Sequence, residues 1–357
     1  MKRATYILIS VISSLLFSNA DLYAQHGYGG LKAPDSKSCL KSIRYLASVS
    51  LEGREAGTKG AETASEYIAS KMKEAGLKPY VNMSGWFQEF EALAYNKYRD
   101  SMTFISQTEP GLKKTRASSF ISSIYNPDYK GEGSDTVNLH NVLGFIEGRD
   151  TTHIIIIGAH FDHLGIRSGK TYFGADDNAS GVAGVLSLAS EWSRFGKKPP
   201  CNLIFASWTA EEKGEIGSSY FVNNLGANRS KILITFNMDM ISRSAPEDST
   251  FSIVSIGTLP KDINLRNIAT KANRSLKDPL ILDMWDVTGH YGSDYAYFAE
   301  SGIPVMTFFS GFEKDYHTPG DVADKVDLHK MQKILNLVNK CIIEVADSLN
   351  SRLSDAE

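Results

Sequence analysis

Five residues of metal-ligand type occur from the middle of the chain onward: His160, Asp176, Glu212, Asp239 and His317. Each stands at the end of an apolar run, in the contexts GAHFDH, GADDNASG, TAEEKGEIGS, FNMDM and DYHTPGD. Two imidazoles and three carboxylates form the mixed nitrogen and oxygen set that suits a pair of zinc ions in a hydrolase. Five residues can supply three ligands to each ion only if one carboxylate bridges the pair. Asp176 is the candidate for that bridge.

Polar neighbours of these residues could carry the remaining steps of a hydrolysis. Asp162 stands two positions after His160, so its carboxylate can lie on the same face of an extended segment and orient the imidazole. Glu211 adjoins Glu212, and one carboxylate can hold metal while the other acts as general base. Tyr316 precedes the final histidine and could donate a hydrogen bond to an oxyanion. Taken singly, these residues also suit a polar loop, a helix cap or a solvated charge pair; together they favour one site.

The pattern of apolar residues predicts the elements that position these side chains. Short, nearly continuous apolar runs predict buried strands at 142–146, 154–159, 203–208, 232–236, 252–256 and 303–309. Helical spacing is found at 36–49, 60–76, 178–195 and 328–349, and Asp327 is the expected N-cap of the last helix. Alternating strands and helices predict an α/β fold with a mostly parallel sheet. Ligands bind beyond the carboxyl ends of strands in such sheets, so the five residues can converge.

Composition places the chain among ordinary globular proteins. It has 357 residues, 42% of them hydrophobic, and a formal charge of −3, which gives no indication of nucleic-acid binding. Lys2 and Arg3 precede an apolar stretch at 6–17 and small or polar residues up to Ala24, the order of a secretory signal peptide. We therefore expect residues 1–24 to be removed and the protein to be periplasmic or extracellular. Residues 25–357 would form a single catalytic domain.

The cysteines and one irregular segment complete this division of the chain. Cys39, Cys201 and Cys341 are odd in number and widely spaced, so no disulfide framework is expected. No cysteine lies near the cleavage site, so no stable membrane anchor is expected after cleavage. Residues 85–136 are turn-rich and predict an irregular excursion rather than a separate domain.

The ligand motifs occur in the order of a known family. Residues 39–347 resemble the co-catalytic zinc exopeptidases typified by bacterial leucine-type aminopeptidases and glutamate carboxypeptidase II. The resemblance implies a three-layer α/β/α sandwich with a mostly parallel, twisted central sheet, and two Zn²⁺ per chain. It also implies that Asp176 bridges the ions, that Glu212 and His317 complete one site, and that His160 and Asp239 complete the other.

The resemblance further assigns roles to neighbouring residues. Glu211 would be the base that activates a metal-bridging water, and Asp162 would support the first zinc histidine. A cis peptide is expected at 176–177. The oxyanion donor stays open between Tyr316 and the loop at 290–291. The spacing leaves no room for the protease-associated insert found in several relatives.

These features predict a secreted zinc aminopeptidase that acts on peptide substrates. A carboxypeptidase or dipeptidase of the same family is one alternative. Glutaminyl cyclase, a single-zinc acyltransferase on the same scaffold, is another, although its members place Trp where this chain has Tyr316. A binding module that has lost its ligands is a third, disfavoured because every ligand and the base are present. Arg243 and the segment 283–292 are candidates for holding the substrate by position alone; the preferred N-terminal residue and the oligomeric state are open.

Overall fold

A computed structural model of the chain describes residues 28, 31–32, 34–80, 83, 85–95, 102–104, 115–117, 121–123 and 134–354. The chain divides into two units, Met1–Leu31 and Lys32–Glu357, and the elements below belong to the second. The expected signal peptide lies outside the described residues. Within them, no helix has both the length and the apolar character needed to cross a bilayer.

The helices and strands alternate through the second half of the chain. The helices are α1 (Ser36–Leu46), α2 (Lys59–Glu74), α3 (Gly181–Arg194), α4 (Ile216–Asn223), α5 (Ile263–Arg274), α6 (Tyr295–Glu300) and α7 (Leu328–Ser354). The first nine strands are β1 (Lys78–Pro79), β2 (Phe87–Tyr95), β3 (Met102–Phe104), β4 (Thr115–Ala117), β5 (Ile121–Ser123), β6 (Ser134–Ile146), β7 (Asp150–His160), β8 (Gly165–Arg167) and β9 (Lys170–Tyr172). The others are β10 (Cys201–Trp208), β11 (Ile232–Asp239), β12 (Ile253–Thr258), β13 (Ile281–Asp286) and β14 (Val305–Phe309).

One large sheet runs in the order β13-β12-β14-β11-β7-β10-β6-β2-β5, and β1 pairs with β6. Its centre is parallel, because β10, β7, β11 and β14 all run in the same direction. Strands β6, β2 and β5 add to one side in antiparallel fashion. On the other side β12 is antiparallel to β14, and β13 is parallel to β12. The sheet is therefore mixed, with its parallel strands concentrated where the ligands were predicted.

Helices cover both faces of the sheet, which confirms the predicted α/β sandwich. Ile154 and Ile156 of β7 share a buried cluster with Phe221 of α4 and Phe298 of α6. The alternate residues of β7 point to the other face, where α3 packs on β7 and β10. Burial on both faces explains why these strands consist of almost continuous apolar residues.

Of the remaining features, the N-cap of α7 was predicted correctly, whereas several short elements were not predicted. The Asp327 carboxylate accepts the N–H groups of His329 and Lys330 at 2.8 and 3.0 Å, so the expected N-cap of α7 is present. In the predicted excursion, β2 and β5 join the main sheet. Helices α4, α5 and α6 and strand β13 were not predicted, because their apolar patterns are short or half-exposed.

Candidate metal centre

The side chains with ligand chemistry meet beyond the carboxyl ends of neighbouring strands. His160 is the last residue of β7 and Asp239 the last of β11. Glu211 and Glu212 follow β10, and His317 lies in the loop after β14. Because these four strands are adjacent and parallel, their carboxyl ends lie at one edge of the sheet.

The first cluster of donor atoms, cluster A, consists of His160, Asp177 and Asp239. Nε2 of His160 lies 3.4 Å from Oδ1 of Asp177 and 3.3 Å from Oδ1 of Asp239. Oε2 of Glu211 lies 3.8 Å from the same nitrogen, at the edge of the cluster. A metal in cluster A would therefore lie beside the carboxylate predicted to act as base.

The second cluster, cluster B, contains His163, Asp177, Glu212 and His317. Nδ1 of His163 lies 2.8 Å from Oε1 of Glu212. Nε2 of His317 lies 3.2 Å from the other oxygen of Glu212 and 3.1 Å from Oδ2 of Asp177. The two oxygens of Asp177 thus face different clusters, as a bridging carboxylate requires.

The structure corrects the predicted bridge by one residue, from Asp176 to Asp177. Oδ1 of Asp176 accepts hydrogen bonds from N and Oγ of Ser242 at 2.8 and 2.6 Å, whereas the ion pairs with the histidines are formed by Asp177. Burial and the nearby Asp321 raise the pKa of Asp176 to about 7. The cis peptide also differs from expectation by one position, because it joins Asp177 to Asn178.

The turn that carries Asp177 is fixed by polar contacts to other parts of the site. Asp321, four residues after His317, accepts the N–H groups of Asp176 and Asp177 at 2.9 and 3.1 Å. Asn178 donates to the carbonyl of Met238 at 2.9 Å. The turn starts at Gly174, whose φ is positive. A Cβ at this position would lie 2.1 Å from the Asp177 carbonyl oxygen, so only glycine fits. These contacts place Asp177 beside the end of β11.

Asp162 contacts His160 more closely through its backbone than through its carboxylate. Its carboxylate lies 3.8 Å from Nδ1 of His160, and its own backbone carbonyl is the nearer acceptor at 3.2 Å. The carboxylate instead accepts the N–H groups of Glu211 and Glu212 at 3.0 and 3.3 Å. Asp162 therefore orients the imidazole through the backbone and the adjacent acids through its side chain.

His163 belongs to the site, although no role was assigned to it from the sequence. It is fully buried, and its Nδ1 contacts Glu212. Its position three residues after His160 within GAHFDH was the available signal. A single histidine in a polar loop is too common for that spacing to identify a ligand without the fold.

Charges in the two clusters shift the pKa values of their members. Burial opposes a charge on His160, but Glu211 and Asp239 outweigh it, so the pKa of His160 lies well above its ordinary value. Burial raises the pKa of Glu211, His160 lowers it, and Asp239 and Glu212 raise it further, so it lies well above normal. The clusters therefore have an affinity for positive charge.

The donor atoms suit zinc in kind and in spacing. Contacts between donors within the clusters range from 2.8 to 3.7 Å. Two donors bound to one tetrahedral ion at about 2.1 Å lie about 3.4 Å apart. Imidazole nitrogens and carboxylate oxygens are also the ligands of catalytic zinc sites. The residues of both clusters therefore fit a zinc ion.

A pocket of about 380 Å³ opens beside cluster A and is bordered by Glu211 and Tyr316. The Tyr316 ring stacks on His317 at 3.8 Å between centroids. Burial and the surrounding carboxylates raise the pKa of its hydroxyl, which therefore keeps its proton and can donate. His290 and Tyr291, the other expected source of an oxyanion donor, also line the pocket.

Arg243 is bonded to other residues rather than directed at the pocket. Its guanidinium lies 2.8 Å from Glu313 and 2.8 Å from Asp315. Parts of the segment 283–292, the second position-based candidate for holding substrate, do line the pocket.

The chain is similar to known peptidases in sequence. The sequence model of peptidase family M28 matches residues 141–342. The chain is 34% identical to leupeptin-inactivating enzyme 1 of Streptomyces exfoliatus over 52% of its own length and 39% of that protein. The chain spans less than half the length of the curated relatives that it matches.

Solved structures share the fold at lower identity. An aminopeptidase from Aneurinibacillus sp. strain AM-1 aligns with a TM-score of 0.64 at 20% identity, over 88% of this chain and 95% of that chain. A zinc aminopeptidase from Bacillus subtilis aligns with a TM-score of 0.62 at 18% identity, over 88% and 96% of the two chains.

Proposed function

The chain belongs to peptidase family M28, and on that premise we propose that it is an aminopeptidase that uses two zinc ions to remove N-terminal residues from peptides. The observation that carries the proposal is the position of Asp177. Its two oxygens face separate donor clusters, and Glu211 lies beside one of them at the mouth of a pocket. Relatives and structural neighbours named as aminopeptidases support the same reading.

Each ion would be held by three residues of one cluster. His160, Asp239 and Asp177 would bind the first, and Asp177, Glu212 and His317 the second. Zinc bound there would acidify water and polarise the peptide carbonyl. His163 would orient the Glu212 carboxylate through the contact of 2.8 Å between its Nδ1 and Oε1 of Glu212.

Glu211 would move the proton during the reaction. Its carboxylate borders the pocket and lies 3.8 Å from Nε2 of His160 in cluster A, so it can accept a proton from the attacking water. The same group can then donate that proton to the leaving amine. Tyr316 would donate a hydrogen bond to the oxyanion of the tetrahedral intermediate.

A substitution of Glu211 tests this assignment. Glu211→Ala should keep zinc near two per chain while abolishing hydrolysis of aminoacyl anilides. Asp177→Asn serves as the comparison, because it should lose zinc and turnover together. Peptidase activity retained by Glu211→Ala would contradict the assignment of the base.

The choice of substrate end needs a separate experiment. Aminoacyl anilides, N-blocked peptides and peptides with N-terminal Gln should be supplied with and without a chelator. Chelator-sensitive release of the free N-terminal amino acid supports the aminopeptidase. Cleavage of N-blocked peptides at the C-terminal residue would favour a carboxypeptidase, and cyclisation of N-terminal Gln would favour glutaminyl cyclase.

Export belongs to the same proposal. Its support is the order of basic, apolar and small residues at 2–25. N-terminal sequencing of the protein purified from its native cells should begin at Gln25. A mature chain that still carries Lys2 would contradict export by cleavage.

A further inference from the structure

One row of residues crosses four strands from cluster A to the far end of the pocket. Asp239 of β11 pairs with Phe309 of β14, Phe309 with Ser255 of β12, and Ser255 with Asp283 of β13. Directly paired residues project from the same face of a sheet, and all four line the pocket. Three strand spacings of about 4.8 Å place the ends of the row about 14 Å apart.

Asp283 is the acidic group at the end of this row that is remote from the metal clusters. Oγ of Ser255 donates to its Oδ2 at 2.8 Å, which orients the carboxylate. Among the described residues, no lysine, arginine or histidine forms an ion pair with Asp283. Its charge is therefore available to a ligand that enters the pocket.

The stretch between the two ends of the row is walled by aromatic rings. Trp285 lies two residues beyond Asp283 on the same strand face and packs over Gly257, where a Cβ would lie 2.7 Å from its ring. Phe309 and Phe312 contact each other at 4.9 Å between ring centroids. Rings of this kind pack against the methylene stem of a long side chain and attract a cation near their faces.

We propose that Asp283 selects substrates with a basic N-terminal residue, lysine or arginine, whose stem lies along Trp285 and Phe309 and whose charge pairs with the Asp283 carboxylate. The proposal rests on the aminopeptidase function proposed above. The substrate's α-amino group is only two bonds from the scissile carbonyl and must stay near the metal. Short side chains end before Asp283, so length and positive charge are both needed.

The test compares lysine with its uncharged analogue norleucine. In the wild type, kcat/KM for lysyl-p-nitroanilide should exceed that for norleucyl-p-nitroanilide about fivefold, and high salt should reduce this ratio. Asp283→Asn should bring the ratio to about one. Asp286→Asn removes the same charge from the other face of the strand and should leave the ratio unchanged.

Each outcome bears on one of the two proposals. An equal ratio in wild type and Asp283→Asn, or a wild-type preference for norleucine, would overturn the role of Asp283 while leaving the aminopeptidase intact. Absence of turnover on every anilide, in protein with bound zinc, would reject the proposed function itself. Asp283→Lys gives independent support if it lowers lysine turnover and raises glutamyl-p-nitroanilide turnover relative to norleucine.

Discussion

Two adjacent acids in GADDNASG have different roles, and only the fold distinguishes them. Asp176 is bonded to Ser242, whereas Asp177 faces both histidine clusters. Neither acid lies within a regular helix or strand, so no periodicity assigns a direction to either side chain. The backbone of the turn decides which carboxylate faces the histidines.

Asparagine substitutions at these two positions should differ in their effect on metal binding. Asp177→Asn removes a charged oxygen from both clusters and should weaken zinc binding well over tenfold at both sites. Asp176→Asn keeps an acceptor oxygen for Ser242 and should leave zinc content near the wild-type value. Metal analysis after dialysis against a graded chelator measures both; zinc loss in Asp176→Asn with retention in Asp177→Asn would restore the original assignment.

His163 should act on zinc affinity through Glu212. Its Nδ1 contacts Oε1 of Glu212, while His317 contacts the other oxygen. His163→Ala should weaken binding at cluster B about 10- to 100-fold, as is typical when a group that orients a ligand is removed. His163→Asn can place an amide N–H near the position of Nδ1 and should recover most of the affinity, measured by competition with a chromophoric chelator. Equal loss in both variants would instead indicate that His163 binds the metal directly.

At the scale of elements, one buried arginine joins three segments of the chain around the site. Arg54 is fully buried and donates to the carbonyls of Phe161 and Phe173 at 2.8 and 2.7 Å, and to that of Gly174 at 2.9 Å. It also donates to the carbonyl of Leu46, the last residue of α1. Burial lowers its pKa to about 10, against the raising effect of nearby carboxylates, so it stays charged at neutral pH.

Arg54→Met should therefore loosen the loops that carry the ligands. Removing the donors leaves several buried carbonyls unsatisfied, at a cost of about 3 kcal/mol or more in the free energy of unfolding. Zinc affinity should fall as well, because His160 and Asp177 adjoin the segments that Arg54 holds in the wild type. Urea denaturation and zinc titration measure the two effects. Arg44→Met, on the exposed face of α1, is the control and should change neither; a similar loss in both variants would exclude a special role for Arg54.

The elements also show how far the sequence could predict this site. Strand ends were predictable because β7, β10 and β11 are buried on both faces and consist of continuous apolar residues. The direction of Asp177 and the contact of His163 with Glu212 were not, because both depend on loops packed against distant segments. Strand β13 was not predicted because it is half-exposed, and it carries Asp283.

At the scale of the whole molecule, the mixed sheet places the donor clusters and the far part of the pocket on different strands. The parallel strands β10, β7, β11 and β14 bring the proposed metal ligands to one edge. Strands β12 and β13 extend the sheet beyond β14 and form the far part of the pocket. Substitutions on β12 and β13 should therefore alter specificity more readily than metal binding.

In the described part of the chain, a buried ion pair links helix α7 to the loop between β11 and β12. Nζ of Lys330 lies 2.9 Å from Oδ2 of Asp248, and both side chains are almost fully buried. Burial alone would raise the pKa of Asp248, but hydrogen bonds from Lys330, Thr250 and the Ile253 N–H outweigh it and hold it below the ordinary range. The ionised carboxylate is thus more favoured in the folded state than in the unfolded chain.

Because of this lowered pKa, the free energy of unfolding should depend on pH in the acid range. A lowered folded-state pKa contributes stability above the unfolded pKa of about 4, and that contribution is lost as pH falls below it. Asp248→Asn should lower the free energy of unfolding by about 3 kcal/mol at pH 7, because Lys330 loses its buried partner. The difference from wild type should shrink below about pH 4.

Urea denaturation of the zinc-free protein at pH 7, 5 and 3.5 measures this difference in the free energy of unfolding without a contribution from metal release. The exposed Asp324→Asn is the control. A deficit that stays constant across this range would show that the titration of Asp248 does not contribute to acid unfolding.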